Sequence, residues 1–204
     1  MAVIILLILG FLLGDVKIEL GTYSPQANHR AITKQLDNLQ HIQGSFYYSP
    51  EESLNKELTA FKLTKNRVDL RTYEFTHKDF KSTLKKLAEN DVNIRIIVED
   101  RKFQQYQNTL KELQEYFSGY SSLQIKSDKQ MGTQYTHAKV NLIDSGFIIQ
   151  TANLTHSSFA KNREHFFQSY DSGVWKSLHT IFEKDRIGEK ITMKDIHPNL
   201  VVCN

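Results

Sequence analysis

A histidine and a lysine stand two positions apart in the segment His137-Ala138-Lys139. Polar and apolar side chains alternate along this segment, which predicts a strand over residues 136–143 with His137, Lys139 and Asn141 on one face. An imidazole can attack phosphorus, and an ammonium can neutralise a phosphate oxygen whose charge must be held through the transition state. The pair therefore indicates phosphoryl-transfer chemistry on a rigid element.

A second set of polar residues follows on the next predicted strand, which covers residues 147–151. A tight turn at Ser145-Gly146 is expected to fold this strand back beside the first one as a hairpin. The hairpin would return Thr151 and Asn153 to the neighbourhood of the histidine and the lysine. A hydroxyl and a carboxamide there can donate further hydrogen bonds to phosphate oxygens, so we expect both to bind substrate.

Two carboxylates complete the candidate site. A nucleophilic histidine needs an acceptor for its second ring nitrogen, which fixes the tautomer and stabilises the cationic intermediate. Glu164, on a predicted strand over residues 164–169, is the natural candidate for that acceptor. Asp144 ends the first strand, and we expect it to cap the hairpin turn rather than to touch substrate.

The elements that must position these residues alternate between strand-like and helix-like patterns. Further predicted strands cover residues 46–48, 68–75, 92–98 and 123–125. Predicted helices begin at a Ser49 cap, at a capping box over residues 76–79, at residue 103 and at residue 174, and they end near residues 65, 89, 117 and 183. A strand, a helix and a strand in succession imply a parallel pair with a right-handed crossover. The fold class is therefore α/β, with a mixed β-sheet flanked by helices.

Both ends of the chain differ from its middle. Residues 1–14 are apolar almost throughout, but a helix of this length spans only about 20 Å, against about 30 Å of bilayer hydrocarbon. We expect a hydrophobic targeting or anchor segment there, with a buried element of the fold as the alternative. Residues 15–45 form a lead-in to a domain over residues 46–190. Residues 191–204 form a C-terminal segment, which in one interpretation begins a missing second repeat.

The composition limits the class of protein. A chain of 204 residues with 40% hydrophobic and 24% charged side chains is typical of one globular domain. The single cysteine, Cys203, excludes an internal disulfide framework and any zinc cluster built from cysteines. The histidines form no metal-ligand pattern, so we expect no metal site. The net charge of +3 does not by itself indicate a nucleic-acid partner.

These motifs resemble those of the phospholipase D superfamily, whose signature is H-x-K-x4-D, then G-S-x-N and, further on, N-x-E. The matching residues here are His137, Lys139, Asp144, Asn153, Asn162 and Glu164. Thr151 stands where serine is usual, and Gln150 replaces the first glycine. With the α/β order that precedes these motifs, the resemblance covers roughly residues 46–185. It implies a phospholipase D-like half-domain.

The resemblance also implies an enzyme that cleaves or transfers phosphodiesters through a phosphohistidine intermediate, with no metal or cofactor. In that mechanism His137 is the nucleophile, Glu164 orients its ring, and Asp144 supports the turn. The phosphate clamp consists of Lys139, Thr151 and Asn153. Water resolving the intermediate gives hydrolysis, whereas an alcohol gives transfer, as in the superfamily's cardiolipin synthases.

The superfamily builds one active site from two such motifs, and this sequence holds one complete motif. The segment His77-Lys78-Asp79 lacks the required spacing and is expected only to start a helix. The other half of the site would come from a second copy of the chain across a twofold axis, or from a missing second repeat. Either way, we expect the single chain alone to be inactive.

Three interpretations of the substrate remain open. The apolar residues 1–14 favour a phospholipid, and hence a membrane-associated or exported protein that acts as a phosphodiesterase or phosphatidyltransferase. A nuclease of the same superfamily is the alternative within this chemistry, with modest support from the mildly basic charge. A non-catalytic, membrane-anchored domain that only binds phosphate groups is the third. The sequence does not decide between hydrolysis and transfer.

Overall fold

The computed structural model describes residues 42–99, 109–128 and 137–191. Strands and helices alternate within these ranges. In chain order they are β1 (Gly44–Tyr48), α1 (Ser53–Lys62), β2 (Arg67–Thr72), α2 (Lys78–Glu89), β3 (Asn93–Val98), α3 (Thr109–Tyr116), β4 (Leu123–Ser127), β5 (Val140–Ile143), β6 (Gly146–Gln150), α4 (His156–Ala160), β7 (His165–Ser169) and α5 (Ser172–Ile187).

The two unusual ends of the sequence lie outside the described residues. This holds for the predicted targeting or anchor segment 1–14, for most of the lead-in and for residues 192–204. Within the described ranges, no helix combines the length and the apolar character that crossing a bilayer requires. The predictions about the two ends therefore stay predictions.

The described strands form one sheet in the order β1-β7-β6-β5-β2-β3-β4. β2, β3 and β4 run parallel, whereas the pairs β2–β5, β5–β6, β6–β7 and β1–β7 are antiparallel. The sheet is therefore mixed, as predicted, and α2 connects the predicted parallel pair β2 and β3. Because β5 runs antiparallel to β2, the beginning of β5 lies beside the end of β2.

Helices cover both faces of the sheet, as the fold class predicts. On one face, α1, α2 and α3 pack on alternate strand residues such as Leu70 and Ile96. On the other face, α5 packs through Val174 and Phe182 on Ile97. The two-residue period of the strands thus supplies two separate cores, and each large buried side chain contributes about 1.5–3 kcal/mol.

The predicted start of α1 is wrong by several residues. α1 begins at Ser53, and its N-cap residue Glu52 makes no side-chain cap hydrogen bond. The Ser49 hydroxyl instead donates to the carbonyl of Asn162 (2.7 Å) and accepts from the N–H of Glu164 (3.0 Å). The Ser49 side chain therefore bonds to the segment before β7 and does not provide the cap of α1 that the local pattern predicts.

The predicted cap of α2 is displaced by one residue. His77, and not Thr76, is the N-cap, and its Nδ1 accepts from the N–H of Asp79 (3.2 Å). The N–H groups of Thr76 and His77 both donate to the carbonyl of Leu154, which keeps the chain extended up to this point. His77 therefore starts a helix, as expected, and belongs to no second motif.

The hairpin of β5 and β6 differs from its prediction in two details. β5 begins at Val140, so residues 137–139 precede the strand, and residue 136 lies outside the described ranges. Ile143 pairs with Gly146, so the turn consists of Asp144 and Ser145 rather than Ser145 and Gly146. Asp144 adopts a left-handed conformation with φ of 48°, which aspartate tolerates better than most residues.

The remaining helices depart from the predictions mostly at their ends. α3 ends at Tyr116, close to the predicted residue 117, and residues 103–108 lie outside the described ranges. α5 begins earlier than predicted because Asp171 caps it by accepting from the N–H of Val174 (2.8 Å), and it ends later, at Ile187, where Gly188 takes up a left-handed conformation. α4 was not predicted, since its five residues are too few to show a helical period.

Candidate active site

One edge of the sheet brings most of the predicted residues together. The chain enters β5 through Lys139, leaves β6 through Gln150 and enters β7 after Glu164. The N–H of Gln150 donates to the carbonyl of Lys139 (3.1 Å), and the N–H of Thr151 donates to the carbonyl of His165 (3.0 Å). Neighbouring strands lie about 4.8 Å apart. The lysine, the threonine and the glutamate are therefore close neighbours along this edge.

The histidine and the lysine are in direct contact, as predicted. The Lys139 Nζ atom lies 3.1 Å from Nδ1 and 3.2 Å from Nε2 of His137, and it donates to the carbonyl of His137 at 2.8 Å. The ring of Tyr73 meets the imidazole edge to face, with 4.8 Å between the ring centroids. The same tyrosine ring lies 5.5 Å from Nζ, so it contacts both groups. Tyr73 follows β2 and is a contact that the motif did not indicate.

The two groups differ in their access to solvent. His137 is exposed, whereas the side chain of Lys139 is 6% exposed. The imidazole is therefore open to solvent, while the ammonium lies within the protein. A charge in such surroundings is screened less by water, so it interacts more strongly with a phosphate oxygen than an exposed lysine would.

Thr151 and Glu164 form a second cluster beside this pair. The Thr151 hydroxyl donates to Glu164 Oε2 (2.6 Å) and accepts from the N–H of His165 (3.0 Å). The other carboxylate oxygen, Oε1, accepts from Asn162 Nδ2 (3.2 Å). A hydroxyl has one hydrogen to donate. Thr151 must therefore exchange Glu164 for a phosphate oxygen if it is to clamp substrate.

The predicted role of Glu164 as the acceptor for the imidazole stays a prediction. Within the described part of the chain, its carboxylate is held by Thr151 and Asn162. Asn162 and Glu164 both belong to the N-x-E motif, so the asparagine of this motif donates a hydrogen bond to its glutamate. The arrangement fixes a half-buried negative charge close to the reacting pair.

Asn153 lies on a loop that is tied to the end of β2. Its Oδ1 atom is buried and has no hydrogen-bond partner among the described residues. The adjacent Leu154 donates to the carbonyl of Glu74 (3.0 Å) and pairs with Phe75 as an isolated bridge. The backbone that follows Asn153 is therefore held in place against the end of β2.

Asp144 lies away from this edge. Seven residues separate it from His137, which corresponds to about 20 Å of extended chain. Its carboxylate accepts from the backbone N–H groups of Lys65, Asn66 and Arg67, each at 2.9 Å. Partial burial alone would raise the pKa of Asp144, but these hydrogen bonds hold the pKa below its usual value. Asp144 lies in the hairpin turn, and its carboxylate in addition holds the loop before β2, while its predicted support of the turn stays a prediction.

A buried acid near the site was missed by sequence reasoning. Glu57 of α1 is completely buried and accepts a hydrogen bond from Asn141 of β5. Asn141 also donates to Gln150 Oε1 (3.2 Å). The available signal was helical spacing, because Glu57 shares the buried side of α1 with Leu58 and Phe61.

Comparison with known proteins identifies a family. The family described as "Cardiolipin synthase, PLD-like domain" matches residues 58–186, which is more than half of the chain. No curated protein matches the sequence.

Solved structures share the fold at low sequence identity. NucT from Helicobacter pylori has a TM-score of 0.61 and 20% identity, over 72% of this chain and 98% of that one. Nuc from Salmonella typhimurium, a phospholipase D family member, has a TM-score of 0.63 and 18% identity, over 74% and 97%. Phosphatidylserine synthase from Haemophilus influenzae Rd KW20 has a TM-score of 0.61 and 16% identity, over 87% of this chain and 49% of that one.

The family match and the fold agree with the motifs at the sheet edge. Members of this superfamily are phosphodiesterases and phosphotransferases. The chain belongs to the phospholipase D superfamily, through the family of cardiolipin synthase, PLD-like domains.

Proposed function

We propose that this protein is a phosphodiesterase or phosphatidyltransferase that acts on phospholipids through a phosphohistidine at His137. The observation that carries the proposal is the contact between the exposed His137 imidazole and the buried Lys139 ammonium. The description of the matching family and the apolar residues 1–14 favour a phospholipid over other phosphodiesters.

The proposed reaction has two displacement steps. A ring nitrogen of His137 attacks phosphorus, a P–N bond forms, and the P–O bond to the leaving alcohol breaks. Lys139, Thr151 and Asn153 hold the non-bridging oxygens, while an acid gives the leaving oxygen its proton. Water or a second alcohol then attacks phosphorus, loses its proton, and displaces the histidine as the P–N bond breaks.

A second copy of the chain is the proposed source of that acid. The described residues hold one such histidine–lysine pair, and the superfamily mechanism needs two histidines. Close to the site, β1 and β6 expose a row of apolar side chains: Phe46 (67% exposed), Tyr48 (44%) and Ile149 (37%). Tyr48 packs edge to face on His165, whose N–H binds Thr151. We define Phe46, Tyr48 and Ile149 as the aromatic face and propose that the second copy docks there.

The substrate class can be tested with the full 204-residue protein. Labelled phosphatidylglycerol and single-stranded DNA are offered separately, and the products are separated and counted. We expect cleavage or transfer of the lipid, loss of turnover in His137→Ala, and normal turnover in the matched control His156→Ala, because His156 is an exposed histidine on α4. Acid-labile label on the wild-type protein would identify the phosphohistidine.

Other results would overturn parts of this proposal. Cleavage of DNA alone would replace the lipid substrate by a nucleic acid, a second candidate that the likeness to Nuc and NucT supports. Binding of lipid without turnover, unchanged in His137→Ala, would indicate a domain that only binds phosphate groups.

A further inference from the structure

Three polar side chains are buried together beneath the site, between α1 and the β5–β6 hairpin. Glu57 is 0%, Asn141 1% and Gln150 7% exposed. Asn141 Nδ2 donates to Glu57 Oε1 and to Gln150 Oε1. Burying polar groups costs free energy unless they are hydrogen-bonded, so the three side chains depend on one another for their hydrogen bonds.

The cluster connects to two residues of the phosphate clamp, Lys139 and Asn153. Asn141 lies two residues after Lys139 on the same strand side, and the backbone N–H of Gln150 donates to the carbonyl of Lys139 (3.1 Å). The side chain of Gln150 donates through Nε2 to the carbonyl of Ala152 (3.1 Å), next to Asn153. A displacement of Gln150 would therefore move the lysine and the asparagine together.

Gln150 is also the position at which this sequence departs from the superfamily signature, where a glycine is usual. A glycine has no side chain to satisfy, whereas a buried carboxamide needs partners on both its oxygen and its nitrogen. Here Asn141 supplies the donor and Ala152 supplies the acceptor. Glu57 then accepts the second hydrogen of the Asn141 amide, so the three residues form one connected set.

We propose that Glu57 is a positioning residue for the phosphate clamp, because it fixes Asn141 and Gln150 and through them Lys139 and Asn153. The inference rests on the proposed function. Glu57 touches no reacting atom, so its effect is exerted on geometry alone.

The chemistry of the cluster favours a neutral Glu57. Burial holds the pKa of Glu57 well above its usual range, although the amides of Asn141 and Gln150 oppose this. No lysine or arginine of the described residues forms an ion pair with it. Glu57 Oε2 and Asn141 Oδ1 are both buried acceptors with no partner in the described part of the chain. A proton on the Glu57 carboxyl allows Glu57 Oε2 to donate, which an ionised carboxylate cannot do.

The test compares two substitutions of similar volume. Glu57→Gln keeps a neutral group with a donor and an acceptor, whereas Glu57→Met removes both. We expect Glu57→Gln to keep kcat/KM within about twofold of wild type, and Glu57→Met to lose about tenfold or more, because small displacements of catalytic groups cost this much. Glu52→Met, on an exposed side chain at the N-cap five residues earlier, is the control and should be unchanged. Thermal melts measure the stability of each variant. Activity at saturating substrate, divided by the amount of folded protein, then shows whether the loss of kcat/KM exceeds the loss of folded protein.

The outcomes are distinct from those of the proposed function. If wild type has no phosphodiesterase activity, the proposed function fails, while hydrogen exchange still tests this inference: the amides of residues 150–153 should exchange faster in Glu57→Met than in Glu57→Gln. Equal exchange and equal kcat/KM in both variants would overturn it, as would a Glu57→Gln variant that is as impaired as Glu57→Met. If Glu57→Met does not fold, Gln150→Met provides the same comparison against wild type.

Discussion

Thr151 links the end of β6 to the motif glutamate and to β7. Its hydroxyl donates to Glu164 and accepts from the backbone of β7, so it joins the strand β6 to the negative charge beside the reacting pair. The family signature usually has a serine here, which carries the same hydroxyl. The methyl group of threonine therefore adds volume without changing this hydrogen bonding.

Replacing Thr151 by valine should impair catalysis without unfolding the protein. Valine keeps the volume but loses the bonds to Glu164 and to the N–H of His165, so we expect kcat/KM to fall by about tenfold or more, the equivalent of about 1.4 kcal/mol or more. Thr151→Ser should keep wild-type activity. Steady-state kinetics with a chromogenic phosphodiester checks both. Thr180→Val is the control, since that hydroxyl only binds the carbonyl of Lys176 within α5 (2.8 Å); equal losses in both valine variants would contradict the role of Thr151.

Asp144 should influence stability in a pH-dependent manner and leave turnover unchanged. Its pKa is lowered in the folded protein, so its ionised form stabilises the fold above the unfolded pKa of about 4, and this contribution is lost as the pH falls through the folded value. Asp144→Asn should therefore be less stable than wild type at pH 7, and the difference should shrink towards pH 3.

Urea denaturation at several pH values measures this effect. Because Asp144 lies partly in solvent, we expect no more than about 1 kcal/mol at neutral pH. A difference that does not depend on pH would contradict the account, and a large loss of kcat in Asp144→Asn would assign the residue to the reacting centre instead.

The residue types of the site could be predicted from the sequence, but only part of their contacts could. The spacing of His137 and Lys139 predicted their proximity, and the structure confirms it. Tyr73 reaches the site from the end of β2 and Glu57 reaches it from α1, and no local pattern connects either to β5. Such contacts depend on strand order, and strand order is not encoded in spacing.

At the scale of the elements, a buried ion pair fastens the centre of the sheet to α5. Arg95 of β3 donates through Nε and Nη2 to the two carboxylate oxygens of Asp69 on β2, each at 2.6 Å, and Asp69 is completely buried. The third guanidinium nitrogen donates to Glu183 of α5 (2.5 Å). Arg95 therefore links β2, β3 and α5 on the sheet face opposite to α1.

Removing this arginine should be strongly destabilising. Arg95→Met leaves Asp69 charged and buried without its partner, so we expect the free energy of unfolding to fall by about 3–5 kcal/mol. The double variant Asp69→Asn with Arg95→Met should recover part of this loss. Chemical denaturation of the three proteins measures it, and a single variant within about 1 kcal/mol of wild type would show that the pair contributes little.

The types and order of the elements could be predicted except for the short α4, whereas several of their boundaries could not. Alternation predicted the strands of the β5–β6 hairpin, and the parallel β2–β3 pair follows from the intervening helix. The start of α1 was misplaced because Ser49 bonds to residues 162 and 164 instead of capping. Local propensity competes there with a contact more than a hundred positions away, and burial decides in favour of the contact.

At the scale of the whole molecule, the aromatic face should determine the oligomeric state. Phe46→Asp places a charge in the proposed docking surface, so we expect it to weaken dimerisation and to reduce activity at the same protein concentration. Leu63→Asp is the matched control, because Leu63 follows α1 on the other side of the sheet and is equally exposed, at 67%. Light scattering and activity are measured over a dilution series.

Three results discriminate between the possible roles of this surface. A dimer that dissociates only in Phe46→Asp supports the second copy. A wild-type chain that is strictly monomeric and active contradicts it. Loss of vesicle binding in Phe46→Asp, with the oligomeric state unchanged, would assign the aromatic face to a lipid surface.

The fold of the whole molecule followed from the sequence, but the substrate did not. The α/β class with a mixed sheet is confirmed. Nuc and phosphatidylserine synthase share this fold, so the fold alone does not identify a substrate. The proposed phosphate chemistry rests on residues at the sheet edge, whereas the choice of substrate depends on the surfaces around such a site. Motif spacing carries no information about these surfaces.

The link between Glu57 and Gln150 has a consequence for the evolution of this family. A relative that has glycine at the position of Gln150 and no amide at the position of Asn141 has no carboxamide to satisfy, so it has no reason to keep an acid inside α1, and an aliphatic residue would pack better there. Acid in the helix and amide in the hairpin should therefore be inherited or lost together. A relative that lost only one of the two residues would have a buried polar group without a hydrogen-bond partner. Selection for folding removes such sequences.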